Sequence, residues 1–462
     1  MKTLCFSAKE HDLNAINLGL DELILMENAG KNLALIIKKE LRKKYKKKKS
    51  PRVLFLLGSG NNAADGLVAA RTLKNTFLYV LDKKAKKSAL FAKQEQIAFN
   101  LGLKFLEKEP VFASFDCIVD CVFGSGFKGV LDTNTKALFE KVNQSRTLKI
   151  ACDIPSGLAS YAQEKISFKA DISVSMGCIK ELMLEDFAKE VVGKIKTANL
   201  GLCKEKYLSF EKADSFLLEK KDLRLIVRAK NTNKGSFGHG FVFGGASAGS
   251  LCALAALNFG LGLVSLVGKR AFSPLIMCKE RLEESANATA IGMGLDDLSV
   301  LDEPHLKNIP LVLDANCFLS EKILPFLERE DVVLTPHPKE FSRLLKMTFN
   351  EEVSIEEIQA NRFAFARKFA LKFNCVLLLK GANPIIAQKE KLCVVNLGTS
   401  ALAKAGSGDA LSGMILALLA NDFSAFKAAT NASLAHALVA KKYKANANSF
   451  DTLKLIKGLS CL

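Results

Sequence analysis

Short runs of apolar residues alternate along the chain with longer stretches in which apolar positions recur every three or four residues. The short runs, each closed by Gly, Pro or polar residues, predict strands, and the longer spacing predicts helices. This alternation is typical of parallel α/β construction. The predicted strands lie at residues 53–57, 77–81, 117–122, 150–154 and 172–174, and again at 241–243, 263–267, 311–313, 332–334, 376–379 and 385–387.

The alternation is interrupted by a charged stretch, residues 204–234, in which we predict no strand. We therefore predict a first domain at residues 1–210, a linker at 211–221 and a second domain at 222–462. A chain of 462 residues is about three times the usual domain size, so its length agrees with more than one domain.

Residues 235–268 contain no Asp, Glu, Lys or Arg and are long enough to span a bilayer. Glycines divide this segment, however, into an apolar run, a tight turn, an alanine-rich stretch and a second apolar run. That pattern predicts a strand, a turn, a helix and a strand. We therefore expect a buried α/β unit and no membrane partner.

The charge balance favours anionic partners. There are 66 Lys+Arg residues and 48 Asp+Glu residues, and the formal net charge is +18. With no Trp and only five Tyr, the chain has few rings on which bases could stack. We therefore expect phosphate-bearing metabolites as partners, and no nucleic acid.

The cysteines predict a compartment. The twelve cysteines contain no C-x-x-C pair and lie mostly inside apolar runs. This distribution is typical of reduced thiols in a core rather than of bridges or zinc ligands. Residues 1–12 also lack the apolar stretch of a secretory signal. We therefore expect a cytoplasmic protein.

Polar residues follow three predicted strands of the first half. Residues 58–66 follow the first strand and lead into a helix predicted from residue 67. Asp120 lies near the end of the strand at 117–122, before the G-x-G-x-x-G pattern of residues 124–129, and Asp153 and Ser156 lie at the end of another strand. In open α/β sheets, ligands bind outside these carboxyl ends. Taken singly, each motif also fits a glycine turn or, for Asp65, a helix N-cap.

Together these residues suggest two kinds of ligand. Asn62, Asp120 and Ser156 would form an oxygen cluster suited to a hard cation. Asp65 and Asp153 could face a polar substrate.

The second half contains a glycine turn with an aspartate, residues 404–409, before a helical run at 410–420. Backbone amides there could hold a phosphoryl group while Asp409 takes a proton from a substrate hydroxyl. His337 lies between two prolines at a strand end, and residues 380–384 join two strands and could cradle a nucleotide. A capping Asp, a surface His and a plain hairpin are the alternatives. No G-x-x-x-x-G-K-[ST] motif occurs.

With these residues in hand, the chain resembles the bifunctional NAD(P)H-hydrate repair enzymes, in which an NAD(P)HX epimerase is fused to an ADP- or ATP-dependent NAD(P)HX dehydratase. The resemblance implies a Rossmann-like three-layer αβα domain followed by a ribokinase-like α/β domain. It rests on the segments MENAG (26–30), GNNAADG (60–66), VDCVFGSG (119–126), DIPSG (153–157), LDAN (313–316), LTPHP (334–338), LKGA (379–382) and GSGD (406–409).

For the first half, the resemblance implies a K⁺ site at Asn62, Asp120 and Ser156, with Asp65 acting in epimerisation. It also implies that a set of residues near the predicted strand ends contacts the hydrated nicotinamide nucleotide. These residues are Asn61, Asn62, Ala63, Ala64, Asp65, Gly124, Ser125, Gly126, Phe127, Lys128, Gly129, Val130 and Asp153.

For the second half, the resemblance implies that His337 and Asp409 contact the hydrate, with Asp409 as the base. The implied reaction phosphorylates the C6 hydroxyl of the hydrate with ADP or ATP and Mg²⁺, and phosphate elimination then restores NAD(P)H. NADHX and NADPHX are the implied substrates, and we expect a homo-oligomer. The residues that would hold the adenine nucleotide are Lys380, Gly381, Ala382, Asn383, Pro384 and Gly408.

Two alternatives stay open at this point. The 404–409 turn would also serve a ribokinase-like kinase of a small metabolite. Ala63 and Ala64 stand where the family usually has two glycines, so the first half could instead be a nucleotide-binding module without catalysis.

Overall fold

The computed structural model describes residues 1–46, 48–127, 129–160 and 164–462, which form two compact units. Residues 3–213 make up the first unit, and residues 214–462 with Met1 and Lys2 make up the second. The division falls within residues 211–221. The expectation that this stretch carries no strand is wrong, because Ser215–Leu217 pairs in parallel with Lys391–Val394.

The first unit contains a parallel sheet flanked by helices. Its strands are β1 (Lys2–Cys5), β2 (Val53–Leu57), β3 (Thr76–Val80), β4 (Lys104–Phe105), β5 (Cys117–Cys121), β6 (Leu148–Cys152), β7 (Ile172–Met176), β8 (Ile179–Lys180) and β9 (Lys194–Ala198). Its helices are α1 (Lys9–Asn17), α2 (Glu22–Lys44), α3 (Asn61–Thr72), α4 (Ala89–Asn100), α5 (Thr133–Gln144) and α6 (Lys204–Leu208). Among the described residues the sheet order is β4-β3-β2-β5-β6-β7-β9, and β1 pairs separately with β8.

Alternate residues of the central strands face opposite sides of this sheet, as the two-residue period of a strand requires. Leu54 and Leu56 of β2 pack in one cluster with Phe139 of α5. Phe55 and Leu57 pack in another cluster with residues of α2 and α3. The predicted three-layer αβα arrangement is therefore confirmed.

The second unit is also a mainly parallel α/β structure. Its strands are β10 (Ser215–Leu217), β11 (His239–Phe243), β12 (Leu263–Val267), β13 (Met277–Lys279), β14 (Ala288–Ile291), β15 (Leu311–Leu313), β16 (Val332–Leu334), β17 (Val376–Leu379), β18 (Ile385–Gln388) and β19 (Lys391–Val394). Its helices are α7 (Ala246–Asn258), α8 (Pro338–Phe349), α9 (Ile355–Ala360), α10 (Arg362–Lys372), α11 (Ser407–Leu419), α12 (Ala425–Lys442) and α13 (Thr452–Gly458). Among the described residues the order is β13-β12-β11-β14-β15-β16-β17-β18-β19-β10, and β18 is antiparallel to both neighbours.

The uncharged segment 235–268 contains β11, α7 and β12, as predicted. Glycine lets α7 approach α11 closely, since a Cβ at Gly413 would lie 2.0 Å from the Cys252 carbonyl oxygen. Within the described ranges, no helix is both long enough and apolar enough to cross a membrane.

Three sequence expectations are corrected. The strand predicted at 150–154 ends at Cys152, so Asp153 is the first residue after it. The helix predicted from residue 67 begins at Asn61. Cys5 and Cys178 form a disulfide across the β1–β8 pair, whereas the other cysteines are free as expected.

Candidate functional site

The strand order of the first unit reverses between β2 and β5, and in open α/β sheets a crevice lies outside the carboxyl ends of the strands at such a point. Ligands bind at such switch points in open α/β sheets. The loop after β2 lies directly against the end of β5, because a Cβ at Gly58 would lie 2.3 Å from the Val122 carbonyl oxygen. The chain therefore requires a glycine at this position.

Helix α3 begins at this crevice. Its N-cap is Gly60, so Asp65 lies within the helix and is not an N-cap. Helix α2 packs closely on α3, since a Cβ at Gly30 would lie 2.4 Å from the Val68 Cβ and 2.7 Å from the Asp65 carbonyl oxygen. This close contact fixes the position of Asp65.

Ala63 and Ala64 are fully buried in the apolar core between the sheet and its helices. Their backbone N–H groups both donate to the Gly60 carbonyl oxygen, at 3.1 and 3.2 Å. The two methyl groups that these alanines carry in place of the family's usual glycines therefore occupy core space rather than the crevice. Asn61 is exposed at the start of α3, and its side chain donates to Glu22 at 2.9 Å.

Asp120 and Ser156 meet in a fully buried cluster. Asp120 accepts hydrogen bonds from the Ser156 hydroxyl at 2.7 Å and from the Ser156 N–H at 2.8 Å. Burial raises the pKa of Asp120 to about 6. The side-chain oxygen and nitrogen of Asn62 are also buried and have no hydrogen-bond partner among the described residues.

Asp153 is paired with a buried lysine. Lys180 Nζ lies 2.5 Å from Asp153 Oδ1 and also donates to the Met176 carbonyl oxygen at 2.9 Å. Ser125 donates its N–H to Asp153 Oδ2 at 2.9 Å. Burial alone would raise the pKa of Asp153, but Lys180 and these hydrogen bonds lower it below the usual range. Asp153 is therefore held ionised.

Asp65 has the opposite electrostatic environment. Burial, and then the negative charges of Asp153 and Asp12, raise its pKa well above the usual range, against the opposing effect of Lys180. Asp12 on α1 accepts a hydrogen bond from the Tyr207 hydroxyl at 2.7 Å, and burial raises its pKa too. The site thus combines two carboxyl groups whose pKa values are raised with one, Asp153, whose pKa is lowered.

The predicted substrate segment after β5 borders the same residues. A Cβ at Gly124 would lie 3.3 Å from Asp153 Oδ2 and 3.4 Å from the Asn62 side chain. Phe127 stacks on Phe123, with ring centroids 4.1 Å apart. Ser125, Gly126, Gly129 and Val130 are exposed, and Lys128 lies outside the described residues.

The second unit reverses its strand order between β11 and β14. The loops after these two strands touch, since a Cβ at Gly245 would lie 2.6 Å from the Gly294 carbonyl oxygen and a Cβ at Gly244 would lie 2.8 Å from that of Met293. Helix α7 starts from this contact with Gly245 as its N-cap. The crevice therefore has a helix N-terminus on one side.

An aspartate and a lysine pair beside this crevice as well. Asp314 follows β15, Lys380 follows β17, and Lys380 Nζ lies 2.6 Å from Asp314 Oδ1. Ser412 of α11 donates its hydroxyl to Asp314 Oδ2 at 2.7 Å. A Cβ at Gly408 would lie 3.3 Å from Lys380 Nζ, so the glycine turn and the lysine are immediate neighbours.

Asp409 lies in the first turn of α11, with Gly406 as the N-cap. Burial and the negative charge of Asp314 raise its pKa to about 6, and Lys380 partly opposes this shift. Gly408 and Asp409 are the second and third residues of the helix, and amides at those positions have no acceptor within a helix. They present N–H groups beside a carboxylate and an ammonium group.

His337 caps α8 and remains exposed. Its N–H donates to Glu340 at 2.8 Å, and its Nδ1 accepts from the Glu340 N–H at 3.2 Å. Burial raises the pKa of Glu340 to about 7, although the His337 N–H and Lys380 lower it in part. Burial and Lys380 lower the pKa of His337, so its ring is neutral at neutral pH.

The loop at residues 380–384 joins two antiparallel strands, as predicted. The buried Arg362 donates to the carbonyl oxygens of Leu379, Lys380 and Asn383 at 2.9 to 3.0 Å. This arginine fixes the shape of the loop from inside. Gly381 and Ala382 are exposed at its tip, Asn383 is buried, and Pro384 is partly buried.

A family model described as NAD(P)H-hydrate dehydratase matches residues 241–460, and a model described as YjeF-related protein N-terminus matches residues 22–182. The bifunctional NAD(P)H-hydrate repair enzyme Nnr of Helicobacter pylori is 40% identical over 459 residues, which cover 95% of this chain and 96% of that protein. The chain belongs to the family of bifunctional NAD(P)H-hydrate repair enzymes.

Other proteins are similar over one or both halves. The bifunctional repair enzyme Nnr of Coxiella burnetii is 30% identical and covers 94% of this chain and 93% of its own length. The crystal structure of an ADP/ATP-dependent NAD(P)H-hydrate dehydratase from Bacillus subtilis, co-crystallised with ATP and Mg²⁺, is 27% identical. It covers 51% of this chain and 92% of its own, with a TM-score of 0.44. The repair-enzyme family accounts for both halves, whereas a small-metabolite kinase would account for the second alone.

Sequence reasoning gave no role to four residues that the structure places at the two sites of this repair-enzyme chain. Asp314 lies in the LDAN segment at the end of an apolar run, and the same feature indicated Asp153 as a site residue. Glu340 follows His337 by three residues, the spacing of a capping box. Asp12 and Lys180 carried no local signal, because their partners Tyr207 and Asp153 lie far away in the sequence.

Proposed function

We propose that this chain repairs hydrated nicotinamide nucleotides in two steps, with the epimerase in residues 1–210 and the ADP- or ATP-dependent dehydratase in residues 222–462. Within this family, the observation that carries the proposal is a shared arrangement of charged groups. Each unit has a partly buried aspartate, Asp65 or Asp409, beside an aspartate–lysine pair at the carboxyl edge of its sheet. Carboxyl groups whose pKa values are driven apart can act as acid and base at the same pH.

In the first unit, inversion at C6 of the hydrate requires a bond from C6 to break on one face of the ring and to reform on the other. We propose that this bond is the one between C6 and its hydroxyl oxygen. Protonated Asp65 would give its proton to the C6 hydroxyl, and the C–O bond would break with its electron pair leaving on water. The ring nitrogen would stabilise the resulting cation, and ionised Asp153 beside Lys180 would stabilise it electrostatically. Water would then add to the opposite face and return a proton to Asp65.

The residues of the first unit fit a K⁺ ion. Asn62 has a buried carbonyl oxygen without a partner among the described residues, and Asp120 and Ser156 add carboxylate and hydroxyl oxygens. All three are hard donors. A bound K⁺ would supply positive charge near the strand ends. In the part of the chain that the structure describes, no cluster of three His, Cys, Asp or Glu residues could hold a metal ion, so this set combines one carboxylate with the neutral oxygens of Asn62 and Ser156.

In the second unit, Asp409 would accept the proton of the C6 hydroxyl while that oxygen attacks the terminal phosphorus of ADP or ATP. The bond from this phosphorus to the bridging oxygen would break, and AMP or ADP would leave with its electron pair. The amides of Gly408 and Asp409 and the Lys380 ammonium would bind phosphate oxygens. The phosphate would then leave C6 with the C–O electron pair, and the neighbouring ring carbon would lose a proton to water, which restores the double bond of NAD(P)H. His337 would contact the hydrate from the end of β16.

The adenine nucleotide would lie across the 380–384 loop. Mg²⁺ would accompany its phosphates, and a carboxylate such as that of Glu340 is the kind of hard oxygen ligand that Mg²⁺ accepts together with phosphate oxygens. The substrate and the nucleotide are both polyanions, which agrees with the net charge of +18. We further propose a cytoplasmic homo-oligomer.

The test is recovery of absorbance at 340 nm when purified protein meets R-NADHX, S-NADHX or their mixture with ADP or ATP, Mg²⁺ and K⁺. We expect full recovery from the mixture, and NADPHX run in parallel establishes which hydrate is preferred. Recovery that stops at the S fraction would show that the first unit is a binding module without catalysis. No recovery with either nucleotide would refute the repair function. Asp422→Asn, a change at an exposed aspartate, serves as the control for Asp409→Asn.

A further inference from the structure

The phosphate turn of the second unit, residues 404–409, is held by two side chains from helices later in the chain. The Thr452 hydroxyl of α13 donates to the Ala405 carbonyl oxygen at 2.7 Å. His436 of α12 places Nε2 3.0 Å from the Ser407 hydroxyl and 3.1 Å from the Ser407 carbonyl oxygen. Both Thr452 and His436 are buried.

The turn needs such support because its backbone conformation is unusual. Gly406 has φ of 83°, in the left-handed region that favours glycine. A Cβ at Gly406 would lie 2.8 Å from the Thr452 hydroxyl oxygen and 2.7 Å from a Leu251 methyl carbon. Thr452 therefore occupies the space against which the glycine packs.

The contact with Thr452 also determines which way a peptide group faces. The peptide bond is planar and trans, so its carbonyl and N–H point in opposite directions. With the Ala405 carbonyl bonded to Thr452, the Gly406 N–H is directed away from α13. Rotation of this peptide would exchange an N–H donor for a carbonyl oxygen, which repels a phosphate group.

His436 contacts Ser407, which is the first residue of α11. If Nε2 carries a hydrogen it can donate to the Ser407 carbonyl, and otherwise it accepts from the Ser407 hydroxyl. Burial lowers the pKa of His436 to about 4, so the ring is neutral and supplies a hydrogen bond rather than a charge.

We propose that Thr452 and His436 are positioning residues of the dehydratase, which hold the 404–409 turn so that its amides face the nucleotide phosphates beside Lys380. This inference rests on the proposed function, since it concerns the same phosphate site. It assigns a role in nucleotide binding to helices α12 and α13, which follow the glycine turn in the chain.

The test compares Thr452→Val, which keeps the shape but removes the hydroxyl, with Thr452→Ser, which keeps the hydroxyl. Thr430→Val is the matched control, because Thr430 is also buried and donates to a main-chain carbonyl, that of Phe426 at 2.9 Å. We expect Thr452→Val to raise the KM for ADP or ATP about fivefold to tenfold, the worth of one hydrogen bond. Thr452→Ser restores the wild-type KM, and Thr430→Val leaves it unchanged.

His436 is tested in the same way, with His436→Gln as the variant that keeps a hydrogen-bonding amide and His436→Met as the variant that does not. We expect His436→Met to raise the KM and His436→Gln to recover much of the affinity. Equal KM values for wild type, Thr452→Val and His436→Met would overturn the positioning role, even if the variants unfold at lower temperature.

Binding of a fluorescent ADP analogue separates this inference from the proposed function, because it needs no turnover. Weaker binding by Thr452→Val than by Thr430→Val supports the positioning role. Equal binding by both overturns it. Loss of 340 nm recovery in the wild type would instead refute the dehydratase itself.

Discussion

In both units a lysine pairs with an aspartate that follows a central strand: Lys180 with Asp153 in the first unit, and Lys380 with Asp314 in the second. The two lysines differ in depth, since the Lys180 side chain is 2% exposed and the Lys380 side chain is 21% exposed, whereas their aspartate partners are 11% and 2% exposed. A deeply buried lysine holds its partner ionised, whereas a partly exposed lysine can also reach a ligand. We therefore predict an internal role for Lys180 and a ligand-facing role for Lys380.

The neighbouring aspartates differ accordingly. Asp65 is surrounded by the further carboxyl groups of Asp153, Asp12 and Glu22, and its pKa is raised well above the usual range. Asp409 has only Asp314 as a neighbouring acidic group that contributes to its shift, and its pKa is raised to about 6. Burial is the largest cause of both shifts, and Asp65 has more neighbouring carboxyl groups than Asp409. We therefore predict that Asp65 acts as a proton donor at neutral pH and Asp409 as a proton acceptor.

The largest effect should come from removing the acid or the base. We expect Asp409→Asn to lower the dehydratase kcat about 10²- to 10⁴-fold, because proton transfer by a positioned side chain contributes that much. Asp65→Asn should lower epimerisation of R-NADHX similarly. Each variant should retain the other activity, measured at 340 nm for the dehydratase and by chromatographic separation of the R and S hydrates for the epimerase. Loss of both activities in either variant would contradict two separate sites.

Substitution of each lysine by methionine tests whether their different burial matters. Lys180→Met leaves Asp153 buried without its partner, so we expect the free energy of unfolding to fall by about 3–5 kcal/mol. Lys380→Met should cost less, because Lys380 is partly exposed and Asp314 keeps the hydrogen bond from the Ser412 hydroxyl, but should raise the KM for ADP or ATP. Urea unfolding measures the first effect and 340 nm kinetics the second. Equal destabilisation by both changes would show that depth does not distinguish the pairs.

Helix packing sharpens the comparison in the first unit. We expect Gly30→Ala to lower the free energy of unfolding by about 1–3 kcal/mol, because its Cβ would lie within 2.7 Å of Val68 and of the Asp65 backbone. It should also slow epimerisation by moving Asp65. Gly126→Ala is the control for stability, since a Cβ there meets nothing within 4 Å. A Gly30→Ala variant that is as stable as Gly126→Ala and as active as the wild type would contradict this packing role.

The smallest expected effect is a shift in pH dependence, and its sign differs between the units. In the proposed mechanism epimerisation needs protonated Asp65, so its rate should fall as pH rises through the raised pKa of that group. The proposed dehydration needs ionised Asp409, so its rate should rise as pH rises through about 6. Asp12→Asn removes one negative charge near Asp65, so the pH at which the epimerisation rate falls should become lower, while the pH dependence of dehydration stays the same. An unchanged pH dependence of epimerisation would show that Asp12 has only a structural role.

The strand pattern predicted much of the fold, because central parallel strands are apolar on both faces and stand out in a sequence. Strands β9 and β14 were missed, since KIKTA contains lysines and ATAI is too short and alanine-rich to indicate a strand. The strand at Ser215–Leu217 was missed because charged residues surround it. Helix α3 was predicted too short, since the polar residues of its first turn are typical of a loop.

The sequence alone determined where the chemistry could occur. Asp120 and Asp153 lie at the ends of apolar runs, and the carboxyl ends of parallel strands share one edge, so local order along the chain was enough to locate them. The tertiary structure alone decided what those groups can do. The buried lysine that holds Asp153 ionised, the core space that takes the methyl groups of Ala63 and Ala64, and the Thr452 contact on the phosphate turn all come from distant segments. Burial and charge act through space, and a sequence records only neighbours along the chain.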